Sequence, residues 1–182
     1  MNTQQHTKQR LTAQDWLMAG FRALARAGSK ALRAEALARD LNTTKGSFYW
    51  HFKDLPDFMT RLIVLWEEMA FDAVVASLDT TAPARQRLEQ LCMLAVSFRD
   101  PSYGGDALEP ALRAWALDDQ QVAEAVNRVD ARRLAYLSTL CEECGLTDPA
   151  IPPMLYSLAI GLEITRYHLA PAVMTALLQR LT

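Results

Sequence analysis

From Leu17 to Leu181 the apolar residues of this chain recur at three- and four-residue spacing, and no stretch alternates strictly between apolar and polar. Helical periodicity sustained over the whole length argues against a sheet-based core and for an all-α fold. Leu17, Phe21 and Leu24 give a first helix, about Ala13 to Ala27, one apolar face, with Thr12 as N-cap and Gly28 as its stop. Phe58, Leu62, Leu65, Met69 and Val74 do the same for a long fourth helix, opened by Asp54 and Pro56 and running to about Leu78.

The breaks in this pattern place the remaining elements. A short second helix, about Arg33 to Leu41, meets the tight turn Asn42-Thr43-Thr44, and Thr44 is placed to cap a third helix from Lys45 to about Phe52. A fifth helix spans about Pro83 to Arg99, and Asp100 to Asp106, with Pro101, Gly104 and Gly105, reads as a loop. A short helix to about Leu117 leads through Asp118-Asp119 into a long one ending at Gly145. Two more follow, about Pro149 to Leu169 and Pro171 to Leu181. The expectation is about nine helices, an N-terminal three-helix module and a C-terminal helical bundle. Met1 to Arg10 is polar, lacks an apolar signal core and reads as a flexible arm. With no apolar run near the roughly 18 residues a membrane span needs, a cytoplasmic protein without a membrane partner is expected.

Charge is distributed unevenly over this pattern. Residues 1–53 hold nine Lys/Arg against three Asp/Glu, whereas the other ten cations stand against eighteen acids in 54–182. A basic first third on an acidic body points to a nucleic-acid contact at one end, and sets a boundary at 53/54 between a DNA-binding and a regulatory domain. Two short helices joined by a three-residue turn have the geometry to enter a major groove. On the third helix Phe48 and Phe52 share the side that docks on the first helix. Lys45, Gly46, Ser47, Tyr49 and Trp50 are left to face outward. A cation and hydroxyls suit phosphates or base edges, an aromatic ring suits a thymine methyl, and glycine permits close backbone approach.

The run Leu37-Ala38-Arg39-Asp40-Leu41-Asn42-Thr43-Thr44-Lys45-Gly46-Ser47-Phe48-Tyr49-Trp50-His51-Phe52-Lys53 resembles the helix-turn-helix signature of the TetR family of transcriptional regulators, and the similarity covers about residues 12–60. The resemblance implies a homodimeric DNA-binding regulator and no enzyme. It puts Arg33, Thr43, Thr44, Lys45, Gly46, Ser47, Tyr49, Trp50, His51 and Lys53 at the interface with double-stranded operator DNA, which two-fold protein symmetry makes pseudo-palindromic. Two positions depart from the pattern. Asn42 replaces the usual glycine of the turn, which its backbone tolerance accommodates. Leu55 replaces a Lys or Arg that touches phosphate, which removes that contact or shifts it to Lys53.

Beyond residue 60 the similarity is looser. It implies that the last two helices form the dimer interface, with Leu155, Leu158, Leu162, Val173, Leu177 and Leu181 as candidates. It also implies a repressor released by an effector within the regulatory bundle, where Trp66, Met69, Met93, Phe98, Trp115, Tyr136, Tyr156 and Tyr167 are candidate lining residues. Few charges fall among them, so the effector is expected to be small and apolar or aromatic. A ligand beside Trp66 and Met69 is expected to tilt the fourth helix about a joint at Leu55-Pro56. A regulator without an effector is the alternative reading.

Other chemistries find little support. Cys141 and Cys144 form a C-x-x-C, and a thiol-redox protein is the alternative of another class. The pair lies inside a helical pattern, however, without the preceding strand of a redox motif or the further ligands of a zinc site. His51, His6 and His168 are far apart in sequence, and no phosphate loop or nucleophile elbow occurs. Neither a metal nor a cofactor is expected.

Overall fold

The computed structural model describes residues 11–97, 100–165 and 167–181. The expected arm at Met1 to Arg10, as well as Phe98 and Arg99, lies outside the described residues, which contain helices and no strand. Among the described residues ten segments are α-helical: α1 (Ala13–Ala27), α2 (Ala34–Asp40), α3 (Lys45–Tyr49), α4 (Leu55–Glu67), α5 (Ala73–Ala76), α6 (Ala84–Val96), α7 (Leu108–Trp115), α8 (Gln120–Glu143), α9 (Ile151–Thr165) and α10 (Ala170–Leu178). A π-helical turn, Glu68–Asp72, joins α4 to α5, so the two form one interrupted rod and the described residues hold nine rods.

Local chemistry sets the ends as the sequence suggests. Thr12 and Asp15 close a capping box on α1, the Thr12 N–H donating to Asp15 Oδ2 at 2.7 Å and the Asp15 N–H to Thr12 Oγ1 at 3.2 Å. Gly28 ends that helix at φ 73°, and its N–H returns to the Leu24 carbonyl. Asp54 caps α4 by accepting from the Asp57 N–H at 2.9 Å, with Pro56 in the first turn, where no N–H bond is owed. Asp119 caps α8 in the same way through the Val122 N–H. The stretch expected to be a plain loop is instead two 3₁₀ turns, Pro101–Tyr103 and Gly105–Ala107. They are fastened to α1 because Arg22 donates to the Ser102 carbonyl at 2.8 Å.

Two hydrophobic cores organise these helices. The first joins α1, α2, α3, α4 and α7 to the N-terminal half of α8, around Trp16, Phe21, Phe48, Phe52, Phe58, Leu62, Trp66, Leu112 and Trp115. The second joins α6, the C-terminal half of α8, α9 and α10 around Leu88, Cys92, Leu140, Cys141, Leu155 and Met174. Between them lies a buried polar node. Glu109 is only 2% exposed and accepts from Arg133 through both carboxylate oxygens, at 2.6 and 3.0 Å, and from Arg113 at 3.0 Å. Arg113 also forks onto Asp130 at 2.7 and 2.9 Å, and the Tyr156 hydroxyl donates to Asp130 at 2.6 Å.

The expected uninterrupted fourth helix is broken at the π turn, and the node supplies the physical reason. The Ala73 N–H bonds five residues back to the Glu68 carbonyl, while the Ala70 carbonyl accepts from Arg133 Nε and Nη2 at 3.3 and 3.2 Å. A carbonyl engaged from outside tolerates a locally widened ladder.

Candidate nucleic-acid interface and effector cavity

The reading head is assembled by aromatic packing. Phe48, fully buried, meets Trp16 of α1 edge-on at 5.3 Å, Phe58 of α4 at 5.3 Å and Phe52 at 5.0 Å. Pairs of this geometry add about 0.5–1.5 kcal/mol each beyond burial, enough to hold a five-residue helix that has little stability of its own. Asn42 takes the left-handed backbone expected of it, at φ 50°, and the Thr43 N–H closes the turn on the Ala38 carbonyl at 2.8 Å.

With Phe48 and Phe52 turned inward, the other side of α3 faces solvent. Trp50 is 80% exposed and Tyr49 50%, and Lys45, Gly46 and Thr44 are exposed beside them. Thr43, Ser47 and His51 are half-buried, and Lys53 is exposed. Arg33 occupies the N-cap of α2, also exposed, and its side chain makes no cap bond. Thr44 sits at the N-cap of α3, but its hydroxyl makes no capping bond, contrary to the expectation for it; the Ser47 N–H bonds to the Thr44 carbonyl instead. The Lys45 ammonium is paired with Glu35 of α2 and lies 5.8 Å from the Tyr49 ring centre. That hydrogen bond raises the Lys45 pKa and lowers that of Glu35.

In the body, a cavity of about 420 Å³ opens between the π turn, α5, α6, α8 and α9. Met69, Tyr136 and Tyr156, of the residues expected to line an effector site, stand in its wall. Trp66 and Trp115 belong instead to the first core, packed by their own large apolar surfaces. Met93 lies where α6 meets α10, its sulfur accepting from the Thr175 hydroxyl at 3.7 Å. Tyr167 lines a separate crevice with Leu162, Glu163 and His168, and Phe98 lies outside the described residues. Sequence reasoning missed Phe71, Val74, Leu91, Tyr103, Arg133 and Glu163 in the cavity wall. A signal existed for Arg133: it interrupts the apolar stripe Val122, Val126, Val129, Leu137, Leu140 of α8, where a lone charge must find a partner.

Of the candidate interface residues, Leu155 and Leu162 are buried within their own chain, while Leu158, Val173, Leu177 and Leu181 are half-exposed. Met154, Ile164, Tyr167 and Leu169 are exposed apolar or aromatic side chains of the same region. The three thiols are free. Burial pushes all of them up, Cys92 to about 12, which keeps them protonated and poor nucleophiles. Among the described residues no group of three or more His, Cys, Asp or Glu is arranged to hold a metal, and no helix is long and apolar enough to cross a membrane.

No family model matches the sequence, and no curated protein does. Solved structures match over nearly the whole chain. A protein described as a TetR-family transcriptional regulator from Rhodococcus sp. superposes with a TM-score of 0.72 at 17% identity, covering 93% of this chain and 97% of that one. A transcriptional regulator from Saccharomonospora viridis, solved in complex with choline, gives 0.76 at 20% identity over 92% and 93%. The fatty acid degradation regulator of Bacillus halodurans gives 0.64 at 15% identity, with 93% of each chain covered.

Proposed function

The chain has the fold of TetR-family transcriptional regulators, and from that premise we propose that it is a cytoplasmic homodimeric repressor. It grips a pseudo-palindromic operator through α3 and is released by a small effector held in the body. Residues 1–53 form the DNA-binding domain and residues 54–182 the regulatory and dimerisation domain. The observation that carries the reading is the inversion on α3. The five-residue α3 and the Trp50 that follows it bury one aromatic, Phe48, and leave two large ones, Tyr49 and Trp50, in solvent on the basic third of the chain. Such a surface makes physical sense when it is covered by something, and its charge fits a polyanion.

The cavity supports the effector half of the reading. The Saccharomonospora protein holds choline, so a fold of this kind accepts a small molecule. Here Arg133 is engaged by Glu109 and the Ala70 carbonyl, and apart from the carboxylates of Asp100 and Glu163 the wall is largely Met, Leu, Val, Ala and aromatic side chains. A small, largely apolar or aromatic effector suits such a site.

Selection from random or genomic duplexes with the purified protein, followed by fluorescence anisotropy at several salt concentrations, tests the DNA reading. Enrichment of an inverted repeat, with affinity falling steeply as salt rises, is expected. The absence of any enriched duplex would remove it. Raised melting temperature on addition of apolar compounds, with loss of operator affinity, tests the effector.

A further inference from the structure

Gly46 is the residue of the reading head that the fold does not explain. Its φ is not in the left-handed region, and a Cβ placed there would meet only the Thr44 hydroxyl oxygen, at an ordinary 3.7 Å. Alanine would fit and would favour the helix by about 1 kcal/mol. A helix of only five residues therefore carries a destabilising residue at a place where its own chain leaves room for a side chain. At 100° per residue, Lys45, Tyr49, Gly46 and Trp50 form one continuous arc opposite the buried Phe48, with Gly46 between its neighbours. The glycine leaves a gap in the arc between Tyr49 and Trp50, which are 50% and 80% exposed.

The chemistry of the arc limits what can fill that gap. Guanine is read best by the paired donors of Arg or Lys, and adenine by the amide of Asn or Gln. No Arg, Asn or Gln stands on α3 or on Trp50 and His51 beyond it, and the one Lys, paired with Glu35, lies at the far end of the arc from Trp50, beyond Tyr49. Ser47 and His51 fall off the arc at this spacing, so what borders the gap is aromatic surface, the Tyr49 hydroxyl and bare backbone. The only apolar group a base presents in the major groove is the C5-methyl of thymine.

We propose that Gly46, Tyr49 and Trp50 form a methyl-reading socket that selects operator half-sites bearing thymine opposite Gly46. The proposal rests on the DNA-binding reading and names the base on which that site's specificity turns. The basic charge of residues 1–53 holds the duplex backbone whatever its sequence; the socket supplies the discrimination.

The test is a cycle between a protein and a DNA substitution, run at fixed salt on the duplex that selection yields. Each thymine of the half-site is replaced by deoxyuridine, which removes the methyl and nothing else. At least one replacement should weaken binding about fourfold, the change that corresponds to about 0.8 kcal/mol per buried methyl-sized group. Gly46→Ala should melt no lower than the parent protein. It should bind the thymine duplex at least tenfold more weakly, and that penalty should shrink on the deoxyuridine duplex, because the missing methyl leaves room for the added one. Half-sites without a methyl-sensitive thymine would overturn the socket, as would an equal Gly46→Ala penalty on both duplexes or no penalty at all. Should Gly46→Ala fail to fold, the deoxyuridine series on the parent protein decides alone. A selection that enriches no duplex overturns the DNA-binding reading itself, a result distinct from any of these.

Discussion

Lys45 meets DNA already paired. Its ammonium sits on Glu35, so a phosphate must displace a carboxylate to reach it. Glu35→Gln should therefore strengthen operator binding about two- to fivefold at low salt and steepen the dependence of log affinity on log salt by about one unit. Weaker or unchanged binding by that variant in anisotropy titrations would mean that Lys45 is not a phosphate contact. No carboxylate among the described residues pairs with Tyr49, and Tyr49→Ala should cost about 1–3 kcal/mol of operator binding while leaving the melting temperature unchanged. The outward face of α3 was legible in the sequence because Phe48 and Phe52 fix the inward one. The Glu35 partnership was not, since it crosses the turn between α2 and α3 and depends on the angle Asn42 imposes. Asp130 makes a second test at this scale. Burial acts to raise its pKa, but the Arg113 guanidinium and the Tyr156 hydroxyl outweigh burial and hold it below the ordinary 3.8. A depressed carboxylate lends stability above its unfolded pKa and loses it as pH falls through the folded value. Urea midpoints should accordingly drop below pH 4, and Asp130→Asn should flatten that drop. An equally steep acid limb in the variant would assign the loss to other carboxylates.

The mechanical joint of the fourth helix was expected at Leu55-Pro56, and the structure makes that junction stiff. Asp54 caps it, the Lys53 N–H donates to Asp57 at 3.0 Å, and Phe58 packs on Phe48 and Phe52. Proline in a first turn forfeits no helical hydrogen bond, which is why its presence there carried less meaning than the sequence suggested. The irregularity lies instead at Glu68–Asp72. No residue in that stretch is proline or glycine, so nothing local announced it; the group that engages it from outside is Arg133, more than sixty residues away. Element boundaries set by caps and glycines were readable from sequence, whereas a distortion engaged by a tertiary hydrogen bond was not. Met69, Ala70 and Phe71 of the π turn and Arg133 all line the cavity, so an occupant touches both the joint and its latch. Arg133→Met should speed amide hydrogen exchange across residues 68–73 relative to the rest of α4, since the Ala70 carbonyl loses its outside donor. Glu109→Gln should act on the whole fold instead, costing about 3–5 kcal/mol, because the largely covered Arg133 guanidinium loses the carboxylate that neutralises it, whereas Arg113 keeps Asp130. Equal exchange in the π turn of parent and Arg133→Met would show that the turn is held by the backbone alone.

At the scale of the whole molecule, the described residues leave an apolar surface on α9 exposed in addition to that of α3. Along α9 the exposed positions Met154, Gly161 and Thr165 share one side at helical spacing, with Ile164 beside them, while the neighbouring Leu158 is half-buried against the second core. Met154 is 58% exposed and Ile164 53%, and Leu177 and Leu181 are half-exposed at the end of the chain. A second copy related by a two-fold axis would cover this face with the same residues, and would set two α3 helices to read grooves about 34 Å apart or a multiple of it. The choice of variant matters, because Leu155 and Leu162 were candidates from sequence but are buried in their own chain. A charge at either would break the fold before it tested the dimer. Ile164→Glu places its charge in solvent if the chain is alone and in an apolar seam if it is paired. The parent protein should therefore scatter light as a dimer at micromolar concentration. Ile164→Glu should scatter as a monomer with unchanged helical circular dichroism, and its operator affinity should fall about 100-fold or more, as one linked half-site is lost. A monomeric parent would refute the pairing outright. An Ile164→Glu dimer with full operator affinity would place the two-fold axis on another face.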